Sequence, residues 1–111
     1  MSRLEKLLQY HAASPKDSFL LFALAKEYEK MGDDDKALEY YLQIREYDPG
    51  YVGLYYHLGK LYLRKNELET AIETYKTGME IAKKAGDQHA FSELAGAKME
   101  ISDEDDEDED L

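Results

Sequence analysis

The chain has 111 residues, 43% hydrophobic and 35% charged, which accommodates one small domain with a surplus of charge. Its 25 acidic against 14 basic side chains give a net charge of −11, which argues against nucleic acid or an anionic membrane as a partner, because both need positive surface. The absence of cysteine excludes disulfide scaffolds, thiolate metal sites and thiol nucleophiles, and the longest apolar run, Phe19 to Ala25, has seven residues against the roughly 20 that cross a bilayer.

Six helices are expected along the chain, near residues 2–13, 15–31, 34–47, 49–65, 67–85 and 87–101. Arg3 and Lys6 are followed by no apolar leader core, so no signal peptide is read and the cytoplasm is the expected compartment. Ser14-Pro15-Lys16-Asp17 predicts a capping serine with proline at the first helical position, and Asp48-Pro49 repeats that start with aspartate as the cap. Leu20, Leu24, Tyr28 and Met31 then recur at helical spacing until Gly32, which can take the left-handed conformation that ends a helix. Asp33 to Asp35 place negative charge at the next helix start. Asn66 with Glu69 predicts a capping box before Leu68, Ala71, Ile72 and Tyr75. No segment alternates as a half-buried strand does. Residues 103–110 read Asp-Glu-Asp-Asp-Glu-Asp-Glu-Asp, and such a run of like charge predicts a disordered acidic tail over 103–111 beyond a helical domain over 1–102. Without those eight carboxylates the body is nearly neutral, with 17 acidic and 14 basic residues.

A repeat runs through the body. A shift of 34 residues aligns Ser18–Tyr51 with Val52–Ala85 and superposes Leu24 on Leu58, Lys26 on Lys60, Tyr28 on Tyr62, Ala37 on Ala71 and Tyr41 on Tyr75. One period earlier, Leu4-Glu5, Leu8-Gln9 and Pro15 match Leu38-Glu39, Leu42-Gln43 and Pro49, so the N-terminus is the second half of a preceding unit. A fixed period of this length signals stacked supersecondary units, each too small to bury its own apolar face. Ala25, Gly59, Ala37 and Ala71 are expected where the two helices of a unit approach most closely, with Tyr28, Tyr41, Tyr62 and Tyr75 packed beside them.

These residues resemble the tetratricopeptide repeat family, whose unit is a helix pair of 34 residues. The family pattern falls on Leu21, Leu24, Ala25, Tyr28, Ala37, Tyr41 and Pro49, then on Tyr55, Leu58, Gly59, Tyr62, Ala71 and Tyr75. Departures are Ile44 and Gly78 at a position usually held by alanine, and Lys83 in place of the closing proline, so the helix containing Tyr75 is expected to run on to about Ala85. The resemblance implies an all-α fold: a short right-handed α-solenoid of antiparallel helix pairs, two full units flanked by two half units. It also implies a protein-binding scaffold that presents the first helix of each pair on a concave, peptide-binding face.

Carried over by matching position, that face comprises Phe19, Phe22, Lys26, Glu29 and Lys30 in the first unit, and Gly53, Tyr56, Lys60, Leu63 and Arg64 in the second, with His57 beside them. The resemblance implies two short basic rows, Lys26 with Lys60 and Lys30 with Arg64, flanked by Phe22 and Tyr56. An acidic or carboxylate-ended protein or peptide would suit such a surface. Family members that grip a chaperone tail use a lysine, asparagine and arginine set. Phe22 replaces that lysine, Lys26 the asparagine, and His57 stands where a second asparagine would be, so that specificity is not implied.

No catalytic residue, cofactor or metal site is expected. His11, His57 and His89 are far apart in sequence, the glycines form no phosphate loop, and Asp33-Asp34-Asp35 lacks calcium-loop spacing. Two other classes of function stay open at this point: an acidic tail that attracts a basic protein in the manner of a chaperone, and a structural module with weak self-association through its end faces.

Overall fold

The computed structural model describes residues 1–102, and the acidic tail read from the sequence lies outside them. Six helices occur in this order: α1 (Arg3–Ala13), α2 (Ser18–Lys30), α3 (Asp34–Tyr47), α4 (Gly53–Arg64), α5 (Leu68–Ala85) and α6 (Gln88–Ile101), with no strand among the described residues. The chain groups into two compact units, Met1–Leu54 and a second that begins at Tyr55.

In the first unit, α1 opens with a capping box. Ser2 Oγ accepts from the Glu5 N–H at 3.1 Å, and Glu5 Oε1 accepts from the Ser2 N–H at 2.8 Å. The prolines work differently from the expectation. Ser14 ends α1, the Asp17 N–H closes a turn onto the Ser14 carbonyl at 3.1 Å, and Asp17 caps α2 through the Leu20 N–H. Asp48 likewise ends α3, and the Tyr51 N–H bonds its carbonyl at 3.0 Å. Proline's fixed φ suits the second position of a tight turn as well as the first turn of a helix, and here it makes the turn. α2 and α4 therefore begin three and four residues later than predicted. Asp48 instead accepts from Ser18 Oγ at 2.7 Å, tying the start of α2 to the end of α3.

Gly32 closes α2 at φ +84°, and the Asp33 N–H reaches back to the Tyr28 carbonyl at 2.9 Å. The residue one period on is Asn66, which takes φ +62°, and the Glu67 N–H bonds the Tyr62 carbonyl at 2.9 Å. Asn66 is thus the left-handed stop of α4 and not the N-cap of α5. That cap is Glu67, without a side-chain bond. Asparagine tolerates the left-handed region better than other residues with a Cβ. As expected, Asp33 opens α3, capping it through the Lys36 N–H, and α5 runs to Ala85; Gly86 ends α5 left-handed, and Asp87 caps α6 through the Ala90 N–H.

The core of the first unit holds Leu21, Leu24, Ala25, Ala37, Tyr41 and Ile44, all fully buried, with α2 packed on α3 and α1 on α2. In the second unit Tyr55, Leu58, Leu61, Ala71, Tyr75, Ala82 and Leu94 are buried, with α6 against α5. The expected close approach holds there: a methyl group at Gly59 would overlap Cε1 of Tyr75, and one at Gly78 would overlap Cβ of Tyr55. Tyr41, Tyr62 and Tyr75 are buried as expected, and Tyr28 is half-buried.

Candidate functional site

Two helix faces carry the residues that the sequence singles out, one in each unit. On α2, Phe19 is 71% exposed and Phe22 half-buried. The Phe22 ring lies 5.6 Å from Tyr51 and 6.0 Å from Tyr41, centroid to centroid. The contact with Tyr51 is not legible from helix periodicity, because Tyr51 sits in the connection that follows Pro49-Gly50. Lys26 Nζ stands 3.6 Å from Glu29 Oε1, and that oxygen also accepts from the Tyr41 hydroxyl at 2.6 Å. Glu29 therefore has two tasks, satisfying a buried phenol and neutralising a lysine. Lys30 is exposed on the last turn of α2, and Glu27 bonds the Arg3 guanidinium at 3.1 Å. Two lysines and two glutamates thus leave the C-terminal half of α2 without net charge.

On α4, Tyr56 organises the face. His57 meets its ring edge-on at 5.5 Å, Lys60 Nζ lies 5.5 Å from its centroid, and the Tyr75 ring lies 6.5 Å away. Lys60 and Leu63 are half-buried and Arg64 exposed. Leu63 stands where the first repeat has Glu29, so this face lacks that carboxylate. α4 carries no Asp or Glu at all, whereas each of the other five helices carries at least one.

The loss is also visible in the core. Tyr75 is the repeat counterpart of Tyr41, yet its hydroxyl is buried without a hydrogen-bond partner. Its pKa is pushed up to about 12, first by burial and then by the charges that Tyr56 and Glu100 would present to a phenolate. The repeat alignment already contained the Glu29–Leu63 difference, but its consequence for Tyr75 needs the geometry.

No group of His, Asp or Glu side chains suited to a metal ion occurs among the described residues, and none of their helices is long and apolar enough to cross a membrane. Lys60 and His57 against the half-buried Tyr56 ring, with Arg64 exposed one turn on from Lys60, provide donors and a ring to cover. Such groups can hold an anion, and the face contains no paired base and nucleophile.

The tetratricopeptide repeat family model matches residues 30–95. A tetratricopeptide repeat domain protein from Salinibacter ruber, solved in solution, is 43% identical, with a TM-score of 0.77 over 82% of this chain and 92% of that one. A crystal structure of such a protein from the same organism is 45% identical, with a TM-score of 0.73 over 77% of this chain and 94% of its own. A protein from Bordetella parapertussis is 24% identical and superposes with a TM-score of 0.80 over 99% of this chain and 96% of that one, a likeness of fold. No curated protein matches the chain.

Proposed function

The chain belongs to the tetratricopeptide repeat family of all-α solenoids, a class of protein-interaction scaffolds, and from that premise we propose that it is a non-catalytic module that binds an acidic or carboxylate-ended protein segment. The principal contact in this reading is the α4 face, with Lys60, Arg64 and His57 as donors and Tyr56 as the apolar anchor. Phe19 and Phe22 on α2 offer apolar contact with Lys30 at the helix end, while Lys26 is paired with Glu29 and attracts an anion less.

The observation that carries this reading is the replacement of Glu29 by Leu63 between repeats, on a helix without a single carboxylate. A charge-assisted hydrogen bond to a carboxylate is worth about 1.5–3 kcal/mol, and burying a ring beside it excludes water from the pair. A short peptide alternating Glu and Leu with a free carboxyl end tests it by NMR titration. Backbone amides of His57, Lys60 and Arg64 should shift, and Lys60→Glu should weaken binding at least tenfold without loss of helix content. Binding that survives Lys60→Glu, or shifts confined to α3 and α6, would refute the assignment.

A further inference from the structure

Residues 103–110 supply eight consecutive carboxylates, and the chain leaves the described residues at Ser102, the C-cap of α6. The helix that ends at that exit, α6, packs against α5, which carries Tyr75. The Tyr75 ring lies against Gly59 and beside Tyr56, and Lys60 Nζ is 5.5 Å from the Tyr56 ring centroid. The exit thus ends a helix packed on α5, and the ammonium group lies over the ring that neighbours Tyr75 of α5, both within the second unit. Nine residues extend to about 30 Å, far more than two aromatic rings require. Three other cations of the unit fit less well. Lys83 and Lys84 sit beside the start of α6, and the helix rise puts them about 20 Å from Ser102. Lys98 is buried at 3% exposure.

We propose that the acidic segment 103–110 is an intramolecular ligand of the α4 face, held at Tyr56, Lys60 and Arg64, and that it competes there with an acidic partner. The inference rests on the reading of the α4 face given above and adds a regulator to it. Each exposed charge contact is worth at most about 1 kcal/mol and is screened by salt, so the docked state is a sum of weak contacts that a better ligand displaces. Covalent attachment supplies an effective concentration of about 1 mM. Against a free peptide that binds at about 0.1 mM, such a tether lowers apparent affinity about tenfold. The device is a threshold: weak anions are excluded, and a partner that adds an apolar anchor on Tyr56 gets through.

The test uses the full chain and a variant of the same length in which Asp→Asn and Glu→Gln changes remove all eight carboxylates. Because the chain has no cysteine, Leu111→Cys carries a single nitroxide label in both. The label should broaden the amides of His57, Lys60 and Arg64 in the acidic chain and leave them sharp in the amide variant. A free peptide with the sequence of residues 103–111 should bind the amide variant about tenfold more tightly than the wild-type chain. Equal affinity for both chains with shifts on α4 overturns the intramolecular ligand and leaves the α4 reading standing. Broadening centred on Lys83 and Lys84 overturns it as well. A peptide that shifts no α4 amide in either chain overturns both.

Discussion

The two full repeats, 18–51 and 52–85, have the same helices and the same period, yet they settle the same positions differently. Leu21 and Ile44 in the first become Tyr55 and Gly78 in the second, all four buried. One residue grows as the other shrinks, and Tyr55 lies where an Ile44-like side chain would otherwise go. Ser18 and Asp48, hydrogen-bonded in the first, become Val52 and Ala82, so a polar pair is exchanged for an apolar one without leaving either half unpaired. Glu29 and Tyr41 become Leu63 and Tyr75, and here only one partner has changed. Leaving a buried hydroxyl unpaired costs more than replacing both groups. The second repeat thus gives up stability at one place, next to the lysine that the missing glutamate would have neutralised.

The largest expected effect breaks the size exchange. Ile44→Gly should cost about 4–5 kcal/mol, the sum of a buried large-to-small change and glycine in a helix interior. Gly78→Ala should also destabilise, by about 1–2 kcal/mol, because the overlap with Tyr55 Cβ outweighs the helix gain of about 1 kcal/mol. Gly78→Ile should be restored in large part by Tyr55→Leu. Urea unfolding followed by circular dichroism reads all four. If Gly78→Ile is no better tolerated with Tyr55→Leu than alone, the two positions do not compensate.

The next effect separates the two tyrosines. Tyr41→Phe should lose about 1–2 kcal/mol, since it removes a bond to a carboxylate that is only 12% exposed. Tyr75→Phe should be neutral or stabilise slightly, because its hydroxyl has no partner to lose. Alkaline titration sharpens the contrast. A folded pKa near 12 against about 10 in the unfolded chain means that the unfolded form ionises first, so stability is whole below pH 10 and is lost as pH rises through 12. Burial raises Tyr40 and Tyr51 in the same direction, so Tyr75→Phe should shrink this loss without removing it. Phenolate absorbance during titration should lose a step near pH 12 in that variant.

Much of this difference was legible in the sequence, and the remainder has a physical reason. The period of 34, the small residues at Ala25 and Gly59, the stop at Gly32, the acidic start at Asp33 and the run of α5 to Ala85 follow from spacing and residue type, and the structure has them all. Helix starts at Ser14-Pro15 and Asp48-Pro49 were misplaced because proline suits both a turn and a first helical turn, and only the distant pairing of Ser18 with Asp48 decides between them. Asn66 reads as a cap by residue type but stops a helix by register, which the match to Gly32 one period earlier already indicated. The two candidate faces follow from position in the repeat. That Glu29 joins Lys26 to Tyr41, and that Tyr75 has lost such a partner, depends on side-chain reach across two helices, which spacing alone does not contain.

A smaller effect exchanges the faces. Leu63→Glu should give Tyr75 an acceptor and neutralise Lys60, strengthening the fold while weakening acidic-peptide binding by about tenfold, or 1.4 kcal/mol. Glu29→Leu should do the opposite in the first unit, removing the carboxylate acceptor of Tyr41 and giving α2 a net positive face. NMR titration with the Glu-Leu peptide reads both. Should Leu63→Glu leave affinity unchanged, the missing carboxylate is not what makes α4 a binding face.

The smallest effect tests whether the two lysines belong to folding at all. Lys26 pairs with Glu29 three residues on at 45% exposure, an arrangement worth about 0.3 kcal/mol and less in salt. Lys60 covers the Tyr56 ring, worth about 0.5–1 kcal/mol at an exposed site. Lys26→Gln and Lys60→Gln should therefore each change unfolding free energy by less than about 1 kcal/mol. In binding they should part: Lys60→Gln lowers acidic-peptide affinity severalfold, while Lys26→Gln has little effect because Glu29 already occupies its charge. In the proposed reading a lysine contributes to recognition only where the neighbouring helix turn offers no carboxylate of its own. Equal binding losses from the two variants would show that the difference between the repeats lies elsewhere.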